Sequence, residues 1–280
     1  MNLIKSPALL LRRVRAFIIR DFQLALSYRV EFFIRLLWIL GIVTTFYFIS
    51  RIFAGFPLAR YEQWQNPLLA WLTGMAMLNY FLVGFSALAN AIRQEQMQGT
   101  LESVLLTPIN VSTVIISSSA WAYVDATFNS FLYLFFGWLF FNVQYKGNLF
   151  LALSFLILTT LVLASLGILS ASFTMSFKRG DPFAILLGAG TALFSGVFYP
   201  KEMLQEALGE TGGKALSYIN PSTHGLDGIR GVLIQGKTFG EVQTSFFVLL
   251  IFLIVLLPFA LWVFGRAIKR AKREGSLIQY

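Results

Sequence analysis

The sequence predicts an all-α membrane protein with six transmembrane helices and an N-terminal amphipathic helix in the membrane interface. The composition supports this class, because 57% of the 280 residues are hydrophobic, 12% are charged and the mean hydropathy is +0.70. Apolar segments also recur along the chain at about the 20 residues that a spanning helix needs. With no cysteine and one histidine, neither a disulfide framework nor a metal site is expected.

The first predicted element is a basic amphipathic helix over residues 5–29, inside an interfacial region of residues 1–31. Its apolar residues recur at helical spacing and its arginines lie on the opposite face, which is typical of a helix lying in the interface. Asp21 falls within the apolar face, which indicates contact with protein at that point. This acidic residue and the direct run into an apolar span near Phe32 argue against a transit or cleavable signal peptide.

Six spans are predicted from the apolar segments that follow. The fifth is short and contains several glycines, so we expect it to pack tightly against a neighbouring helix or to cross with the help of its neighbours. The six segments are residues 32–53, 67–92, 111–141, 148–177, 182–198 and 243–265.

Basic residues predict the orientation of these spans. Lys178 and Arg179 lie in a very short loop, and the tail of residues 266–280 is rich in lysine and arginine, as cytoplasmic segments are. We therefore expect both termini to be cytoplasmic in the inner (plasma) membrane. The net charge of +9 is then explained by lipid headgroups, and no nucleic-acid function is predicted.

A polar segment between the second and third spans contains Glu95-x-x-x-Gly99-Thr100-Leu101-Glu102 and then Thr107-Pro108. In sequence and position it resembles the cytoplasmic coupling helix of ABC-2 type transporter permeases. The resemblance covers nearly the full chain and implies a single transmembrane domain over residues 1–280, with the coupling helix at 93–110. Residues expected to contact the ATPase are Arg93, Glu95, Gly99, Thr100, Leu101 and Glu102.

The segment at 199–242 resembles the re-entrant external hairpin of the same family. It departs from the commoner pattern at Met203-Leu204-Gln205, where a second proline is often found. Backbone at membrane depth must be buried in protein or line a wet cavity, so we expect this hairpin to pack on other helices. The residues that carry the resemblance are Tyr199, Pro200, Asn220, Pro221 and Arg230.

The family resemblance also implies the function and the partners. It implies ATP-driven export, with two copies of a separate ATPase subunit and a second copy of this chain or a related permease. ATP and magnesium would bind to the ATPase, so no cofactor is expected on this chain. Membrane lipids are further partners, and the substrate is left open among drugs, lipids, lipid-linked glycans and peptides.

Asp125 is the one carboxylate deep within a predicted span. With Trp121 and Asn129 it lies on one face of the helix, at steps of four residues. An ionisable group inside a membrane is a functional candidate, because its charge costs on the order of 3 kcal/mol there. This face is a candidate substrate path or dimer interface, or a structural contact with another helix. A proton-coupled secondary transporter that uses Asp125 is the alternative function.

Two further patterns do not predict catalysis. Residues 231–238 match the phosphate-loop pattern, but they fall in a predicted external loop with one span and a tail after them. His224 has no positioned serine or cysteine nucleophile and is expected to form hydrogen bonds at the start of a helix. A lipid-modifying enzyme would need more polar groups than the His224 and Asp227 region supplies.

Overall fold

The fold is taken from a computed structural model that describes residues 7–53, 61–97, 111–177 and 182–274. Within these ranges the chain forms helices and no strand, so the predicted all-α class is confirmed. The elements are α1 (Pro7–Ser27), α2 (Arg29–Phe53), a 3-10 turn (Glu62–Trp64), α3 (Pro67–Met97), α4 (Val111–Phe141), α5 (Leu149–Phe177), α6 (Pro182–Phe194), α7 (Lys201–Leu208), α8 (Glu210–Ile219), α9 (Pro221–Leu233) and α10 (Phe239–Glu274).

Five helices in the described ranges are long and apolar enough to cross a membrane, and they coincide with five of the predicted spans. The other predicted span, 182–198, is shorter than expected. Its helix α6 has 13 residues and ends at Phe194, which gives about 20 Å against a hydrocarbon core of about 30 Å. Gly196 has a positive φ of 79° just beyond that end. A sixth crossing remains a prediction.

The central helix is α3, which packs along α4 and α5 and also contacts α2, α6 and α9. Small residues allow α3 and α5 to approach closely. A Cβ atom on Gly167 of α5 would lie 2.1 Å from the carbonyl oxygen of Gly84, and one on Gly84 would lie 2.7 Å from Leu163 Cβ. Such close backbone contacts are common between membrane helices.

Helices α1, α2 and α10 lie at the periphery. The long helix α10 packs along α5, and its residues beyond the predicted span remain helical through Glu274. Helix α2 contacts α3 and α4 but leaves much of its apolar surface exposed, including Trp38 and Phe48. Helix α1 rests on α4, where the rings of Phe22 and Trp121 are 6.2 Å apart.

Helices α7, α8 and α9 occupy the predicted hairpin. The first two are short and pack tightly, because a Cβ atom on Gly213 would lie 2.4 Å from Gln205 Cα. Helix α9 is almost entirely buried and contacts α3, α5 and α10. Added Cβ atoms on its Gly225 and Gly228 would lie 2.3 Å from Thr159 Oγ1 and 2.2 Å from the Phe155 ring. The packing that we expected of this hairpin is therefore present for α9.

Candidate functional site

The predicted coupling segment begins inside α3. Because α3 continues to Met97, residues 93–97 extend the spanning helix, and residues 98–110 of the predicted segment lie outside the described residues. Arg93 is exposed there and Glu95 belongs to the same helix. Helix α3 has 31 residues and is about 45 Å long, so the segment after Met97 starts far from Pro67. The remaining predicted contacts, Gly99, Thr100, Leu101 and Glu102, lie outside the described residues.

Asp125 is bound by two neighbours at the contact of α2 with α4. Its Oδ1 atom accepts a hydrogen bond from Arg35 Nη1, and its Oδ2 atom accepts one from Asn129 Nδ2 at 3.0 Å. Both members of the ion pair remain about 30% exposed at the side chain. Trp121, one turn before Asp125, contacts α1 through Phe22. The predicted polar face of α4 is thus brought together, and it points toward α1 and α2.

Arg35 was not among the candidate site residues predicted from the sequence. It lies six residues after Arg29, in the first turns of α2. Its partner is 90 positions away, and helical spacing carries no information about such a contact. The available signal was the presence of one acidic and one basic residue at similar depth in two spans. A charge inside a span needs a partner of this kind.

Arg230 is the most densely bonded residue of the predicted hairpin. It is 2% exposed, and its Nη1 atom donates to Gly196 O at 2.7 Å. Its Nη2 atom donates to Ala70 O at 2.7 Å and to Val197 O at 3.0 Å. The guanidinium carbon lies 5.0 Å from the ring centroid of Trp64, a cation–π contact. Burial lowers the pKa of Arg230 to about 9, which leaves it charged at neutral pH.

These contacts explain how α6 can end early. The last carbonyl groups of a helix lack partners in the helix itself, and away from water they must find others. Here Arg230 binds Gly196 O and Val197 O, while Trp71 Nε1 donates to Phe198 O at 2.9 Å. Tyr199 Oη donates to Leu193 O. The bend after α6 is therefore held by side chains from α3, α9 and the bend itself.

The other predicted hairpin residues form helix starts. Pro200 precedes the first residue of α7. Asn220 caps α9, because its side chain accepts a hydrogen bond from Ser222 N at 3.0 Å, and Pro221 takes the first helical position. His224 lies in the first turn of α9, with Nε2 3.1 Å from Tyr218 O. Burial lowers the pKa of His224, and the nearby charge of Lys201 lowers it further, against opposing effects of Tyr218 and Asp227.

A second ion pair joins α7 to α9. Lys201 Nζ donates to Asp227 Oδ2, and Gln63 Nε2 donates to the other carboxylate oxygen at 3.2 Å. Burial lowers the pKa of Lys201, but the charge and hydrogen bond of Asp227 outweigh it and raise the pKa above its usual value. Lys201 and Asp227 were not paired from the sequence, since 26 positions and helix α8 separate them.

The phosphate-loop pattern at 231–238 has the wrong structural context. Gly231, Val232 and Leu233 close helix α9, and the glycine and lysine that follow lie in the turn before α10. A phosphate loop instead follows a strand and opens a helix whose amide groups face the phosphates. This part of the chain therefore offers no nucleotide site of that kind.

Comparison with known proteins assigns the chain to a family. A family model described as ABC-2 type transporter matches residues 12–234, from α1 through the end of α9. None of the curated proteins compared with the chain matches it. The match extends over well more than half of the sequence and includes Asp125, the coupling segment and residues 199–234 of the hairpin. The chain thus belongs to the ABC-2 type transporter family and is a multi-pass membrane component of a transport permease.

Proposed function

We propose that this chain is the membrane-spanning subunit of an ATP-driven exporter in the inner (plasma) membrane, with both termini in the cytoplasm. It would form the pathway with a second copy of itself or a related permease, above two ATPase subunits that bind ATP and magnesium. The observation that carries the proposal is the course of α3. This central helix of the family-matched bundle runs past its apolar span and ends in the polar segment that resembles a coupling helix.

The position of this segment supports a mechanical role. Helix α3 packs along both α4 and α5, so a displacement at its Met97 end is transmitted to the two helices that it contacts most extensively. Interlocked backbones at Gly84 and Gly167 make the α3–α5 contact stiff. In the proposed cycle, closure of the ATPase pair moves residues 93–108, and the spans change from one packing to another. The chemistry of hydrolysis takes place on the ATPase.

The substrate class proposed is an amphipathic molecule such as a drug, a lipid, a lipid-linked glycan or a peptide. Support comes from the face around Asp125, where a partly exposed ion pair lies between exposed aromatic residues at membrane depth. The rings of Phe32 and Phe128 are 5.8 Å apart beside the pair. Such a face can contact a second protomer or a substrate that carries both polar and apolar groups.

A test of the coupling segment uses charge reversal at its two glutamates. The tagged chain is purified from native membranes, and the proposal expects an ATPase subunit to co-purify. Glu95→Lys and, less strongly, Glu102→Lys should weaken this recovery at least tenfold, because each reversal replaces an attraction by repulsion at a partly buried interface. Glu241→Lys is the matched control, since that exposed glutamate lies at the start of α10 and accepts a hydrogen bond from Thr238 N.

Gly99→Val tests the same segment without changing any charge. A bulky residue is expected to misplace the coupling helix where backbones approach closely or φ is positive. Assembly with the ATPase should persist. The amount of ethidium or fluorescent phospholipid moved for each ATP hydrolysed should fall in reconstituted vesicles. If this variant and both charge reversals match the parent chain, residues 93–108 form an ordinary loop and the proposal is wrong.

The alternative function, proton-coupled transport through Asp125, gains no support from the geometry. A proton relay needs a carboxylate that can take up and release a proton during the cycle. Asp125 instead accepts hydrogen bonds from Arg35 and Asn129, which is the arrangement expected of a structural ion pair. Dependence of vesicle transport on a proton gradient in the absence of ATP would favour this alternative.

A further inference from the structure

Four consecutive residues between α2 and α3 each contact the hairpin through a different group. We name residues 61–64 the strap. Tyr61 Oη donates to Glu206 Oε1 of α7 at 3.0 Å, and Glu62 Oε2 accepts from Lys237 Nζ at 3.0 Å. Gln63 binds Asp227, and Trp64 lies under the Arg230 guanidinium. The strap therefore meets α7, α9 and the turn before α10.

Within the strap Trp64 is buried, Glu62 is exposed, and Tyr61 and Gln63 are half-buried. Trp64 is 1% exposed and also packs edge-on against Trp71 of α3, with ring centroids 5.7 Å apart. Glu62 and Lys237 form a surface pair with side chains 63% and 28% exposed, and exposed pairs contribute little to stability. The contact between Trp64 and Arg230 is thus the part that holds the strap in place.

Separation of the strap from the hairpin would expose a buried charge. Arg230 donates to carbonyl groups of α3 and of the bend after α6, and its aromatic cover is Trp64. Moving Trp64 away would expose this guanidinium to solvent, together with the carbonyls of Ala70, Gly196 and Val197 that it binds. Breaking the contacts of Arg230 with Trp64 and with Ala70 of α3 in every turnover is costly, since a buried charge that loses partners is strongly unfavourable.

We propose that the strap is a positioning element for transport. Trp64 and Arg230 clamp the hairpin to the start of α3, so that the hairpin and the start of α3 move as one rigid body throughout the cycle. The inference rests on the proposed transport function and deepens it. Rearrangement between packings then takes place at other contacts, such as those of α2 and α4. The strap keeps the hairpin in register with α3, which carries the coupling segment at its opposite end.

Cross-linking separates a rigid clamp from a latch that opens. The chain has no native cysteine, so Glu62→Cys with Lys237→Cys can be joined by a short bifunctional thiosulfonate reagent. A rigid clamp keeps the ATPase rate of the purified complex, and ATP-dependent movement of ethidium or a fluorescent phospholipid, within twofold of the untreated protein. A tenfold loss that is reversed by reductant would overturn the proposal. The two single-cysteine variants, treated in the same way, are the controls.

Trp64 tests the positioning role directly. Trp64→Ala should lower movement of these probes per ATP at least tenfold, while Trp64→Phe, which keeps an aromatic face over Arg230, should recover most of it. Movement of the probes per ATP at the level of the parent chain in Trp64→Ala would contradict the proposal. If Trp64→Ala does not fold, the cross-linking result decides.

Labelling gives a readout that does not depend on transport. Val197 is 1% exposed beneath the clamp, so Val197→Cys in vesicles should resist a membrane-impermeant maleimide both without nucleotide and after trapping with ATP and vanadate. Adding Trp64→Ala should increase its labelling rate at least tenfold. Rapid labelling of the single variant in the trapped state would show that the clamp opens. If the clamp stays closed but no ATPase co-purifies, the proposed function fails and the clamp stands.

Discussion

At the scale of single residues, the charges of Asp125 and Arg230 are each explained by the partners of the side chain. Asp125 is matched by Arg35 across two spans, whereas Arg230 is surrounded by backbone carbonyls and an aromatic ring. The two arrangements differ in their consequences. The Arg35–Asp125 pair is partly exposed and can be exchanged for neutral groups. Arg230 is fully enclosed and binds three separate carbonyl groups, so a lysine with a single nitrogen could not replace all of its hydrogen bonds.

Substitutions at the Arg35–Asp125 pair test whether it acts as a unit. Asp125→Leu should lower the free energy of unfolding by on the order of 3 kcal/mol, because it removes the hydrogen-bonded carboxylate of Arg35 and leaves the longer contact with Glu31, at 3.9 Å. Asp125→Asn should cost less, since an amide still accepts a hydrogen bond. The Arg35→Leu/Asp125→Leu double variant should lose less free energy of unfolding than the two single leucine variants lose together. Unfolding in detergent is measured for the parent chain, Asp125→Asn, each single leucine variant and the double variant, and strict additivity of the two leucine substitutions would contradict the pairing.

The single histidine predicts a pH dependence. The pKa of His224 is lowered in the folded protein, so between that value and about 6.5 the unfolded chain binds the proton more readily. Stability should therefore fall as the pH drops below about 6.5, by at most about 1.4 kcal/mol per pH unit. His224→Gln should remove this dependence between pH 7.5 and 5.5, as measured by thermal unfolding. An unchanged pH profile in the variant would assign the effect to other groups.

At the scale of elements, periodicity and length predicted five of the helices closely. They did not predict the end of α6 or the partner of Asp125, because these depend on residues far away in sequence. Residues 195–198 continue the apolar composition of α6, yet the helix stops at Phe194. The carbonyls of Val197 and Phe198, just beyond that end, accept hydrogen bonds from Arg230 and Trp71, both far away in sequence. Helix ends set by such long-range caps leave no local pattern. For the same reason the sequence suggested Asp125 but could not identify Arg35.

Close packing between α3 and α5 gives a prediction for this element pair. Gly167→Ala should lower the free energy of unfolding by about 1–3 kcal/mol or more, because the new Cβ atom would meet the backbone carbonyl of Gly84, which cannot swing aside. Gly265→Ala in α10 is the matched control. A Cβ atom there has nothing within 4 Å, and replacing a helical glycine should stabilise by up to about 1 kcal/mol. Equal effects of the two substitutions would contradict the packing described.

At the scale of the whole molecule, the described chain has two chemically different ends. One end carries the strap, the turn before α10 and helices α7 and α8, joined by polar contacts such as those of Lys201 and Lys237. At the other end, exposed Arg93, Arg266 and Lys269 lie in the last turns of the apolar spans of α3 and α10. Arg266 also lies over Trp262, with 3.7 Å from the guanidinium carbon to the ring centroid. An excess of arginine and lysine at one end is the feature that orients such proteins.

This asymmetry predicts the topology. Ala215→Cys, an exposed position in α8, should react with a membrane-impermeant maleimide in intact cells, whereas Lys269→Cys near the end of α10 should react after permeabilisation alone. Gln98→Cys, in the predicted coupling segment, should behave like Lys269→Cys, because α3 carries that segment about 45 Å from the strap. The chain has no cysteine of its own, so any signal comes from the introduced thiol.

External labelling at Gln98→Cys would place the segment out of reach of a cytoplasmic ATPase. The orientation and the coupling role proposed for residues 93–108 would then both be wrong, while the helix packing described for α3, α4 and α5 would be unaffected.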